Sequence, residues 1–240
     1  MNQPASETNA IIERLMNAQR RGRADDLLLK RAERVAAGLP DAWWLYITGM
    51  VAALRMEEEA AMRAFDAVVR LRPGEFAPAW NRAVTACMFG RWRLALDCYA
   101  DMEKAFPKPE VRQGMLEMMR FCGMFDEAAQ RAREWGMDTP DAAFAAIAEA
   151  HGLRPERIEE MMNRAGAFLR GRGLPVLKTW MGVLDDEEGV IEACIRTPAR
   201  EALDADYVAF LEGAPPLPAE ESAIIIGFEP PHGDELARAA

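Results

Sequence analysis

The sequence predicts a mainly α-helical protein, built as an array of helical hairpins that is followed by a small α+β domain. Two observations support this fold class. Helical patterns that end at prolines recur at a fixed spacing in the first 140 residues. Beyond residue 175, short runs rich in β-branched residues take their place, and a helical pattern separates the second run from the third.

The helical patterns repeat with a period of 34 residues. The unit is clearest from Asp41 to Gly74, where Arg55 and Met56 separate two helical patterns. Because several matches at one spacing are typical of tandem repeats, the pattern predicts two successive copies of one structural unit. Five landmarks recur at this period: Gly49 as Ala83, Ala61 as Ala95, Phe65 as Tyr99, Val68 as Met102, and Pro73 as Pro107.

Each copy is expected to form two antiparallel helices. A small residue on the first helix, Gly49 in the first copy, is expected to face a small residue on the second helix, Ala61, so that the two axes can approach closely. The aromatic landmark packs next to this crossing, and the proline ends the unit. Since one hairpin cannot bury its own apolar face, several hairpins must stack to form a core.

These landmarks resemble the tetratricopeptide repeat (TPR). The resemblance is clearest over residues 42–109, and Gly123–Ala128 carries a third copy whose register slips by one residue. A further, divergent copy is expected from Asn9 to Pro40. We therefore predict a TPR-like domain over residues 9–152 and a small α+β domain over residues 153–240.

The second predicted domain begins with a helix from Pro155 to Arg170. Residues 176–195 are interpreted as a β-hairpin, and a second pair of helices is the alternative for this segment. Gly182 and Gly189 favour the strands, because glycine weakens a helix. A helix over residues 198–211 and a strand over residues 223–228 complete the predicted domain.

The TPR resemblance implies that the first helix of each hairpin lines a concave groove, which this family uses to hold peptides or helices. Most of the implied groove residues are large and apolar, so we expect something to cover them. Three covers remain open: the C-terminal domain of the same chain, a bound polypeptide segment, or a second copy of the chain. The implied residues are Trp43, Tyr46, Met50 and Leu54 in the first clear copy, Trp80, Val84, Cys87 and Met88 in the next, and Gln113, Glu117, Arg120 and Phe121 in the third.

Composition restricts the classes of partner. The net charge is −10, and residues 185–240 alone contain 14 acidic and 3 basic residues, so bulk attraction to nucleic acids or anionic lipids is not expected. No apolar run approaches the roughly 20 residues of a membrane-spanning helix. The N-terminus lacks the pattern of a signal peptide, and four cysteines do not form a disulfide framework. We therefore expect a folded cytoplasmic protein.

No catalytic motif stands out in the sequence. The only histidines are His151 and His232, and the cysteines lack the close pairing of a zinc site. Neither a glycine-rich phosphate loop nor a nucleophile elbow is present. We accordingly predict no catalytic residue, no metal site and no cofactor.

The predicted function is that of a non-catalytic scaffold or adaptor, which holds a polypeptide segment in an apolar groove. One alternative is a dedicated chaperone, similar to the acidic repeat chaperones of bacterial secretion systems. The other alternative is an enzyme whose active site lies in the C-terminal domain.

Overall fold

The computed structural model describes residues 3–184, 189–198, 203–213 and 223–230, and these residues form eleven helices and three strands. The chain is thus mainly helical with a small sheet near its C-terminal end, which confirms the predicted fold class. The helices are α1 (Gln3–Arg21), α2 (Asp26–Ala36), α3 (Asp41–Leu54), α4 (Glu58–Leu71), α5 (Phe76–Met88), α6 (Trp92–Ala105), α7 (Pro109–Phe121), α8 (Phe125–Glu134), α9 (Asp141–Ala150), α10 (Pro155–Gly171) and α11 (Leu203–Glu212). The strands are β1 (Lys178–Leu184), β2 (Val190–Arg196) and β3 (Ile224–Glu229).

The first eight helices form four hairpins that stack in chain order. Each helix contacts the next one, and α3 also contacts α1 and α5, so the first helices of the first three hairpins lie side by side. This arrangement buries the apolar face of each hairpin against the next hairpin. The predicted helical repeat array is therefore confirmed.

The turn inside each hairpin repeats one backbone geometry. A residue with positive φ follows the first helix at Gly22 (64°), Met56 (59°), Gly90 (58°) and Gly123 (72°). These residues are 34, 34 and 33 positions apart. The spacing of 34 is the sequence period and includes the divergent first copy, and the spacing of 33 is the one-residue slip of the third clear copy. In each turn the following amide donates to a carbonyl five residues earlier, at 2.9 to 3.1 Å: Arg23 to Ala18, Glu57 to Ala52, Arg91 to Ala86, and Met124 to Met119.

The aromatic landmarks repeat as well. Tyr46 meets Phe65 edge to face with 6.0 Å between ring centroids, and Trp80 meets Tyr99 in the same way at 5.8 Å. The small residue Gly49 makes room for this ring, because a Cβ at Gly49 would lie 3.1 Å from two ring carbons of Phe65.

The expected pairing of Gly49 with Ala61 stays a prediction. The three atoms nearest to a Cβ at Gly49 belong to Phe65 and Ala64. Ala61 packs in a separate cluster with Ala53 and Phe89.

Helix α10 lies across the turns of two hairpins. A Cβ at Gly90 would lie 2.6 Å from the Cα of Gly166, and one at Gly123 would lie 2.7 Å from the Cα of Pro155. The backbones therefore touch directly. The indole nitrogen of Trp92 also donates a hydrogen bond of 2.8 Å to the carbonyl of Met162 in α10.

The three strands form a sheet in the order β1-β2-β3. β1 and β2 are antiparallel, from the pair Lys178 and Arg196 to the pair Leu184 and Val190, whereas β2 and β3 are parallel and α11 lies between them in the chain. The predicted hairpin and third strand are confirmed, and the helical alternative for residues 176–195 is wrong. β-branched residues such as Ile191 and Ile195 favour this outcome, because they suit a pleated surface.

One face of the sheet packs on the array. β1 contacts α7, and β2 contacts α9. The residues of this face belong to a hydrophobic cluster that also includes Ala83 of α5 and Phe121 of α7. The division into domains at residue 152 stays a prediction. None of the described helices combines the length and the apolar character that crossing a membrane requires.

Candidate functional site

Two adjoining cavities lie on the face that the first helices form. The first, which we call the apolar trough, measures about 460 Å³ and lies between α1, α3 and the start of α5. The second, which we call the strand cavity, measures about 490 Å³ and lies between α1, α5, α7 and β1. Met16, Trp80 and Asn81 line both cavities, so the two form one continuous groove.

Aromatic rings dominate the apolar trough. Trp43 meets Tyr46 edge to face at 6.1 Å between centroids, and Phe76 stacks on Trp80 at 5.6 Å. Ile12 and Met16 of α1 form the opposite wall. Because each ring packs against another ring, these walls are held in place before any partner arrives.

A buried polar contact fixes the point where the cavities meet. The Asn81 side chain donates a hydrogen bond from Nδ2 to the hydroxyl of Tyr46, and both residues are buried. Burial raises the pKa of the Tyr46 hydroxyl, so it remains protonated near neutral pH. This pair links α3 to α5 and sets the orientation of the Tyr46 ring in the trough wall.

The C-terminal part of the chain forms one wall of the strand cavity. The amide of Val176 donates to the carbonyl of Met88 at 2.8 Å, and the hydroxyl of Thr179 donates to the carboxylate of Glu117. β1 consequently lies over α7, while the trough beside α3 is left open. The concave face is therefore covered in part by its own chain.

Some charged groups of the strand cavity already bind other residues of the chain. Burial raises the pKa of the Glu117 carboxyl, and the nearby cations Arg120 and Lys178 oppose this shift. Arg120 binds Asp141 through two hydrogen bonds of 2.5 and 2.9 Å. Gln19 is 7% exposed, and its side-chain nitrogen has no hydrogen-bond partner among the described residues.

The thiol in this cavity is not activated. Burial raises the pKa of Cys87, so the protonated form prevails, and a protonated thiol is a poor nucleophile. Among the described residues, no group of three or more His, Cys, Asp and Glu side chains is placed to hold a metal ion. His151 lies at the C-terminal cap of α9, and His232 lies outside the described residues.

The structure brings most of the predicted groove residues together. Trp43, Tyr46 and Trp80 line the apolar trough, and Val84, Cys87, Met88, Gln113, Glu117 and Arg120 line the strand cavity.

Three other predicted residues belong to the core. Met50 and Phe121 are fully buried, because the neighbouring hairpins enclose this side of their helices. Leu54 is half-buried against the core of the N-terminal hairpins. Met50 and Phe121 therefore leave no side-chain surface for a partner.

Sequence reasoning missed two parts of the groove. Ile12 and Met16 of the divergent first hairpin share one face of α1, and this four-residue spacing was a usable signal. The other part is the segment Leu177–Met181, whose five consecutive residues line the strand cavity. No local pattern indicates that contact, because it depends on the position of the sheet on the array.

Comparison of the chain with protein-family models, with curated protein sequences and with solved structures finds no match.

Proposed function

We propose that the protein is a TPR-type scaffold that holds a short polypeptide segment in the apolar trough and does not act as a catalyst. The observation that carries this proposal is the open, aromatic-walled trough on the concave side of a helical array. The repeated turn geometry and the repeated pair of an aromatic residue on each helix support assignment of the array to the TPR type.

The exposure of Trp43 supports a partner that buries apolar surface. Its side chain is 41% exposed although it stands in the trough wall. A tryptophan buries up to about 250 Å², so covering the exposed part would contribute about 2 to 3 kcal/mol. A polypeptide segment fits this trough because apolar side chains can contact the rings while its backbone stays near the polar groups around Asn81.

The test uses two adjacent tryptophans as a matched pair. Trp44 is 44% exposed on the same helix, and it is not among the residues that line the trough. A random library of peptides of about 12 residues is screened against the whole protein, and the affinity of the tightest binder is measured by calorimetry. We expect Trp43→Ala to weaken binding at least about tenfold, which corresponds to about 1.4 kcal/mol.

Trp44→Ala is the control, and it should leave the affinity within about twofold of wild type. Circular dichroism establishes that both variants remain folded. Two results would reject the proposal: no peptide of the library binds, or the two substitutions weaken binding equally.

A further inference from the structure

The outer edge of β1 borders the strand cavity. β1 is the first strand in the sheet order β1-β2-β3, so among the residues that the structure describes it is paired along one edge only, with β2. The cavity is lined by the consecutive residues Leu177 to Met181. Since successive side chains of a strand point to opposite faces of the sheet, a cavity that touches all of them lies along the edge and not over one face.

The register shows which backbone groups of β1 point away from β2. The amide of Ile191 donates to the carbonyl of Ala223, just before β3, at 2.7 Å, and the amide of Thr197, just after β2, donates to the carbonyl of Glu229 at 3.0 Å. Odd-numbered residues of β2 therefore pair with β3, and even-numbered ones pair with β1. Their partners on β1 are the even-numbered residues from Lys178 to Leu184. The backbone N–H and C=O groups of Thr179, Met181 and Val183 therefore point outward.

The strand cavity of about 490 Å³ lies beside this edge. β2 lies against α9, and β1 lies against α7. A strand added beside the outer edge of β1 would therefore lie on the side of α5. The α5 residues Trp80, Val84 and Cys87 are only half-buried and line the cavity at that position.

We propose that the polypeptide partner binds in an extended conformation, as an added strand on the free edge of β1. The backbone of the partner pairs with Thr179, Met181 and Val183. Every second side chain of the partner faces α5. This inference rests on the proposed function, since it extends the segment held in the apolar trough past Trp80 and Asn81 into the adjoining strand cavity.

Amide hydrogen exchange, measured by NMR on the whole protein, tests the pairing. Without peptide, the amides of Trp180 and Gly182 should exchange slowly, and those of Thr179, Met181 and Val183 should exchange faster, because only the first set is paired with β2. Saturation with the tightest peptide from the random library should slow the exchange of the second set at least about tenfold.

Backbone methylation of that peptide is the second readout, and it leaves the protein unchanged. The amides of the peptide that pair with β1 occur at every second residue, and N-methylation of these amides should weaken binding at least about tenfold. N-methylation of the amides between them should weaken binding about twofold or less. If the peptide binds but the amides of Thr179, Met181 and Val183 keep their exchange rates, this inference is wrong and the proposed function stands. If no library peptide binds, both are wrong.

Discussion

At the scale of single residues, the turns of the hairpins depend on one backbone conformation. Glycine occupies the left-handed position in three turns, at residues 22, 90 and 123, and Met56 occupies it in the fourth. Met56 is the only non-glycine residue with positive φ in the part of the chain that the structure describes. The left-handed conformation costs a residue with a side chain about 1 to 2 kcal/mol, so this turn holds a local strain that the other turns lack.

We therefore predict that Met56→Gly stabilises the protein. The free energy of unfolding should rise by about 0.5 to 1 kcal/mol, since relief of the strained conformation outweighs the packing lost with the half-buried side chain. Denaturant titration followed by circular dichroism measures the change. Gly136→Ala is the control, and its effect should have the opposite sign. Gly136 has a φ of 65° and no neighbour within 4 Å of a Cβ, so the free energy of unfolding of this variant should fall by about 1 kcal/mol. A destabilised Met56→Gly variant would contradict the prediction.

The residues that sequence alone identified are those whose role is local. Phe65 and Tyr99 recur at one spacing, and each marks the second helix of a hairpin. The series of turn glycines has the same period but was missed, because Met56 interrupts it. The sequence also did not identify Phe65 as the ring that lies nearest to Gly49, since this contact depends on the rotation of two helices against each other, and local patterns do not determine that rotation.

At the scale of elements, α10 fastens the C-terminal part of the chain to the array. Its contact with the α5–α6 turn is a backbone contact, in which a Cβ at Gly166 would lie 3.1 Å from the Cα of Gly90. An ion pair of 2.5 Å between Arg93 of α6 and Glu159 of α10 lies beside this contact. Sequence predicts α10 from its spacing of apolar residues, but not its position, because glycine gives no hydrophobic signal.

Gly166→Ala should consequently weaken the docking of α10. The added methyl group cannot be accommodated without moving one backbone away from the other, and we expect a loss of about 1 to 3 kcal/mol in the free energy of unfolding. Gly171→Ala, at the end of the same helix, is the matched control because nothing lies within 4 Å of its Cβ. Thermal unfolding measures both variants. Equal melting temperatures for Gly166→Ala and wild type would show that α10 does not make this contact.

At the scale of the whole molecule, the C-terminal part of the chain covers one side of the concave face and leaves the other side open. The C-terminal sheet covers the side of α7 and α9, while Trp43 and Tyr46 of α3 line an open trough. The sequence predicted a groove and most of its residues, because large apolar residues recur on the first helices. It did not predict the division, which depends on contacts such as that between Thr179 and Glu117, 62 residues apart.

The six tryptophans of the chain allow the most direct test of the proposed binding surface. Trp43, Trp80 and Trp180 line the groove, whereas Trp44, Trp92 and Trp135 are not among the residues that line it. The measurement is a ¹⁵N NMR titration of the indole N–H signals of the whole protein with the tightest peptide from the random library. The signals of the three groove tryptophans should shift in proportion to occupancy, and the other three should stay in place. Shifts confined to Trp44, Trp92 or Trp135 would contradict the assignment of the groove as the binding surface.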